Sequence, residues 1–108
     1  MTARLLLVCC LLALASLAVE AGPLKIWVVP HSHEDTGWIN TVDGYYETEV
    51  KYILDGTINA LSADPARKFI YVEMAFLSRW WSEQGPAKRA QTQGLVERGQ
   101  LVFVNGGW

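Results

Sequence analysis

The chain has 108 residues, 51% of them hydrophobic, and a formal net charge of -2. With no basic surplus to neutralise phosphates, it is excluded as a nucleic-acid binder that works by charge. Its two cysteines, Cys9 and Cys10, are adjacent and close to the amino terminus.

Residues 1–21, "MTARLLLVCCLLALASLAVEA", carry a lone cation at Arg4 and then an apolar run from Leu5 to Val19. That run of about 15 residues falls short of the roughly 20 needed to span a bilayer. Val19 and Ala21 stand where a signal peptidase prefers its substrate residues, so a secretory signal peptide cut before Gly22 is expected. Both cysteines leave with it. The mature segment, 22–108, then forms no disulfide and has no stable membrane anchor, and any metal site in it must be built from histidine and carboxylate.

Ile26 to Val29 is β-branched and aromatic, ends at Pro30, and predicts a buried strand flanked on both faces. "HSHEDTGWIN" follows as a polar loop. From about Thr41 the pattern becomes helical: Val42, Tyr46, Val50, Ile53, Leu54, Ile58 and Leu61 recur at three- and four-residue steps. Gly44 and Gly56 weaken this helix, which is expected to bend or break near either, and Asp64-Pro65 ends it. Phe69 to Val72 predicts a second strand with Glu73 at its end. A short helix is expected from Ser78, and Pro86 opens another that runs to Arg98 and stops at Gly99. Leu101 to Val104 predicts a third strand. "NGGW" closes the sequence abruptly, as a cut through a larger domain would.

Strand, helix, strand, helix, strand is the order of the α/β class, with a parallel sheet covered on both faces. Ligands of such sheets bind at the carboxyl ends of the strands. The histidine-rich loop, Glu73 and "NGGW" are therefore expected along one edge.

The chain's two histidines, His31 and His33, both lie in that loop. His33 and Asp35 are two residues apart, so in extended backbone they point to one side and can grip a single ion. Imidazole nitrogen with carboxylate oxygen suits a borderline metal such as zinc. His31 is equally a ligand candidate on spacing, or a hydrogen-bonding residue that orients one. Trp38 offers a flat face for a sugar, or packs as a core residue. Glu73 reads as an acid-base group or, more simply, as a solvated or ion-paired carboxylate. Trp80-Trp81 reads as helix packing.

"VVPHSHEDTGW", "FIYVEMAFLSRWW" and "GQLVFVNGGW" together closely resemble the amino-terminal part of glycoside hydrolase family 38, the α-mannosidases, and most of all its lysosomal and epididymis-specific type. The resemblance covers essentially all of the mature segment. It implies an incomplete parallel-sheet (β/α) unit, the first strands of a larger glycoside hydrolase catalytic domain. It also implies one zinc ion with His33 and Asp35 among its ligands, His31 in a supporting role, and Trp38 against a mannose of the glycan substrate. The implied chemistry is retaining hydrolysis by two carboxylates, with zinc holding sugar hydroxyls. Both carboxylates and the remaining zinc-binding histidine are expected beyond Trp108, so this chain alone is expected to be inactive. The implied location is the secretory pathway, ending in the lysosomal lumen or outside the cell. Two rivals share part of the fingerprint. An amidohydrolase barrel would use both His31 and His33 as ligands. A truncated secretory fragment would be no enzyme at all. A metallo-β-lactamase-like site needs a histidine where Thr36 stands.

Overall fold

The computed structural model describes residues 22–104. The expected signal peptide and the "NGGW" ending, 105–108, lie outside that range. Three helical stretches follow one another without a loop: α1 (Val42–Tyr45), a π-helical turn (Tyr46–Val50) and α2 (Lys51–Ala63). Then come β1 (Phe69–Tyr71), α3 (Met74–Glu83), α4 (Pro86–Glu97) and β2 (Leu101–Phe103).

Thr41 starts the first helix by accepting the Gly44 amide on its hydroxyl at 3.0 Å. Asn40 folds back over the same turn and accepts the Thr41 amide at 2.8 Å. Gly44 makes room for it, since a Cβ there would lie 2.3 Å from the Asn40 amide oxygen. Regular α-winding gives way to the π turn two residues later, close to one of the two weak points expected from sequence. Gly56, the other, sits inside an unbroken α2. Asp64 ends α2 in extended backbone. Pro86 occupies the first turn of α4, and Gly99 leaves that helix with φ +65°, as their positions in the sequence predict. α3 begins at Met74, four residues before the expected Ser78, because the chain turns into helix directly from the strand end.

The sheet among the described residues has two parallel strands, Phe69 pairing with Leu101 and Tyr71 with Phe103. The expected first strand, Ile26 to Val29, is not formed. Ile26, Trp27 and Val28 are between 74% and 85% exposed, and contact with the sheet is a single parallel bridge between His31 and Ile70. The reason is geometric. β1 is three residues long and meets the incoming chain only from Pro30, whose carbonyl accepts the Ile70 amide at 2.9 Å. Upstream of that point no backbone runs alongside, and a β-branched run without a partner has no ladder to join.

The core forms where α2 packs on α3 and α4. Tyr46, Val50, Leu54, Ile58 and Leu61 supply one stripe, met by Tyr71, Phe76, Leu77, Trp80, Leu95 and Leu101. Burial of each large side chain contributes about 1.5–3 kcal/mol. Trp80 is in the core, with its indole N–H donating to Asp55 at 3.3 Å, and Trp81 is half-buried against the cluster, so helix packing accounts for the pair. Arg79 lies over the Tyr46 ring and donates to Asp43 at 2.6 Å and Glu47 at 2.8 Å, tying α3 to the start of the helical run. No helix among the described residues is long and apolar enough to cross a membrane.

Candidate metal centre

The loop after Pro30 runs extended beside the end of β1. Exposure alternates along it: His31, His33 and Asp35 are exposed, while Ser32, Glu34 and Thr36 are half-buried. Period-two alternation is the mark of extended backbone, and it puts the three potential ligands on the solvent side. His33 Nε2 lies 3.2 Å from Asp35 Oδ1. That is the distance of an ion pair between them, and it is also close to the roughly 3.3 Å that separates two ligands bound tetrahedrally at zinc distances. No third His, Cys, Asp or Glu joins them among the described residues. His31 is turned to its own neighbour, Nδ1 lying 2.9 Å from the Ser32 carbonyl.

The loop then reverses at Gly37, whose φ of +91° is in the region that favours glycine. Its amide donates to the Asp35 carbonyl at 2.9 Å, and the Trp38 amide to Asn40 at 3.2 Å. The turn leaves the Trp38 side chain 75% exposed, which rules out the core-tryptophan alternative in this structure.

Behind the exposed pair lies a group of which the sequence singles out Glu73 alone, expected along the same edge as the loop. Glu34, facing inward, receives the Ser32 hydroxyl at 3.0 Å and sits in hydrogen-bonding reach of the Glu73 carboxyl. Burial, and next the hydrogen bond with Glu73, push the Glu34 carboxyl up to about 7. Glu73 is 9% exposed, and one of its oxygens, Oε1, accepts the Glu34 backbone amide at 3.3 Å. The other, Oε2, is buried with no hydrogen-bond partner among the described residues. Tyr71 completes the group: its hydroxyl is also buried without a partner, and burial, with the charges of Glu34 and Glu73, raises its pKa far above the usual phenol range. The simpler expectation for Glu73, a solvated or ion-paired carboxylate, is therefore corrected. It is buried, it meets another acid, and it reaches the motif loop because it closes β1 opposite that loop. The alternation of the motif contains the missed signal, since a carboxylate between His33 and Asp35 must point to the other side, toward the sheet end.

Residues 23–108 match the family Glycosyl hydrolases family 38 N-terminal domain. The chain is similar to the lysosomal alpha-mannosidase of Homo sapiens, 47% identical over 98 residues that cover 83% of this chain and 10% of that protein. It is 48% identical over 93 residues to the alpha-mannosidase of Canavalia ensiformis, covering 79% of this chain and 10% of that one. The lysosomal alpha-mannosidase of Dictyostelium discoideum gives 48% over 93 residues, covering 79% and 9%. The chain thus spans about a tenth of the length of the curated relatives it matches.

Proposed function

This chain belongs to glycosyl hydrolase family 38 through its N-terminal domain, and on that premise we propose that it forms the first part of a zinc-dependent, retaining α-mannosidase that acts on terminal α-mannosides of N-glycans. His33 and Asp35 supply two zinc ligands, His31 supports them, and Trp38 lies against the sugar. Residues 1–21 act as a cleaved signal, and the protein works in the lysosomal lumen or after secretion, in keeping with the names of its lysosomal relatives.

The observation that carries the reading is the His33–Asp35 separation of 3.2 Å on the exposed side of an extended loop. A zinc ion there would act as a Lewis acid and template for sugar hydroxyls. The residues present do the holding. Gly37 turns the chain and Trp38 stands exposed in the same loop, where an indole face with one polar edge suits a pyranose. Two protein ligands do not complete a zinc site, so further donors and both catalytic carboxylates come from outside the described residues. The exposed apolar run of Ile26, Trp27 and Val28 offers surface for the remaining domain to cover. The rival reading, with His31 and His33 both on the metal, has no comparable support, because it is His33 that has a carboxylate at ligand-to-ligand distance.

The test is a zinc titration of the chain followed by NMR at the histidine rings. Binding at one site, abolished by His33→Ala and by Asp35→Ala and kept by His31→Ala, is expected. Equal loss at His31 would favour the amidohydrolase-like site. The 108-residue chain is expected to release no chromophore from a nitrophenyl α-mannoside, and zinc-dependent release would overturn the prediction of inactivity.

A further inference from the structure

We propose that Glu73 is a positioning residue for the metal pair: its carboxylate, by accepting the Glu34 backbone amide, fixes the peptide between His33 and Asp35 and so holds the two ligands on one side of the loop. The inference rests on the zinc reading of the His33–Asp35 pair.

Register supplies the first argument. His31 bridges Ile70 in parallel, and carrying that register forward three residues brings Glu34 opposite Glu73. There the strand has ended, for β1 stops at Tyr71 and Glu73 stands at the threshold of α3. With no strand backbone to continue the ladder, the Glu73 side chain takes it over. The loop is tied to β1 at two points, Pro30 through the Ile70 amide at 2.9 Å and Glu34 through Glu73 Oε1 at 3.3 Å. His33 and Asp35 flank the second tie directly.

The second argument is what Glu73 does not do. It occupies the residue before α3 and makes no side-chain cap to the amides of that helix. Nor does it reach water, being 9% exposed, or form an ion pair among the described residues. A buried carboxylate is costly to keep unless its hydrogen bonds are needed where it sits. Its placement at the start of a ten-residue helix offsets part of that cost through the helix dipole. Residues that orient metal ligands typically change metal affinity by 10–100-fold when removed.

The experiment compares the full chain with Glu73→Ala and Glu73→Gln, using two readouts. Amide hydrogen exchange reports the Glu34 N–H directly, and a zinc chloride titration followed at the His33 ring reports the ligands. Glu73→Gln keeps a carbonyl acceptor and is expected to hold exchange and zinc affinity within about threefold of the parent. Glu73→Ala is expected to speed Glu34 exchange at least tenfold and to weaken zinc by about tenfold or more. Protection of Phe69 and Ile70 should stay at the parent level in both. Parent-like exchange and affinity in Glu73→Ala would overturn the proposal. So would a parallel loss in both variants accompanied by loss at Phe69 and Ile70, which would mark a general structural role. If the parent binds no zinc, the expectation that His33 and Asp35 hold the ion within this chain fails on its own account. Glu34 exchange then still decides whether Glu73 holds the loop.

Discussion

Gln100 is 3% exposed, and its replacement should cost more than that of most polar residues in this chain. Its side-chain nitrogen lies 2.8 Å from the Leu61 carbonyl, 3.1 Å from that of Asp64 and 3.3 Å from that of Arg67. Leu61 belongs to the last turn of α2, where carbonyls have no partner within the helix. One residue from the start of β2 thus closes α2 and holds the link to β1. The amide has two hydrogens for three acceptors, and its oxygen accepts from Arg98 Nε at 3.0 Å, so Gln100→Leu removes about three hydrogen bonds. One stranded acceptor, Leu61, is buried and costs about 1–3 kcal/mol, whereas the partly buried Asp64 and Arg67 carbonyls regain water. The expected loss is about 2–4 kcal/mol. It is measured as a shift in urea midpoint by the fluorescence of buried Trp80, with an osmolyte added if the variant is unfolded in buffer. Gln100→Glu separates hydrogen bonding from shape. Burial and the facing carbonyls raise the folded pKa of a carboxyl here above its unfolded value, opposed in part by Arg98, whose Nε lies 3.0 Å from this side chain's oxygen. Gln100→Glu is therefore most stable at acid pH and loses stability as pH rises toward neutrality. A loss below about 0.5 kcal/mol for Gln100→Leu, or a Gln100→Glu midpoint that ignores pH between about 4 and 8, would refute the reasoning.

Two glycines should respond with opposite signs. Gly37→Ala forces a side chain to φ +91° and should cost about 1–2 kcal/mol and loosen zinc binding, whereas Gly56→Ala, with open space around it inside α2, should gain about 0.5–1 kcal/mol; thermal midpoints of both variants check this. Trp38→Ala should leave stability within about 0.5 kcal/mol of the parent, because the ring is exposed, and a larger fall in midpoint would show that the indole has a packing role. Burial, and then the bond to Glu83, raise Tyr46 above the ordinary phenol range, and burial does the same to Tyr71. Since the folded values exceed the unfolded one, this contribution is complete below about pH 10 and is lost as pH climbs toward the folded values. Part of the tyrosinate absorbance near pH 11 should therefore appear only when denaturant is added, and superimposable native and denatured titrations would count against the burial of both rings.

The features legible in the sequence are those whose cause is local. Pro86 and Gly99 bracket α4 through fixed backbone preferences, and the apolar stripe from Tyr46 to Leu61 follows helical period without reference to any partner. Ile26 to Val29 shows the limit. Its composition is that of a strand, but a strand is a relation between two backbones, and β1 meets this segment only from Pro30 onward. Gln100 shows the same limit from the other side. Nothing near it in sequence announces three carbonyls from 33 to 39 residues away.

The proposed metal loop divides along the same line. His33 and Asp35 were legible because two-residue spacing in extended chain places side chains together whatever surrounds them. The acid between them was not, since its meaning depends on what β1 presents at its end. A strand of three residues runs out just before the loop's critical peptide, and a side chain, Glu73, continues the pairing that backbone began. That substitution explains why a carboxylate is buried beside a second one despite its cost. It also sets how the motif must be read. The exposed residues of "HSHEDTGW" state the chemistry, and the half-buried ones state how the loop is held. A change that removes the Glu73 acceptor should therefore alter metal affinity without touching either proposed ligand.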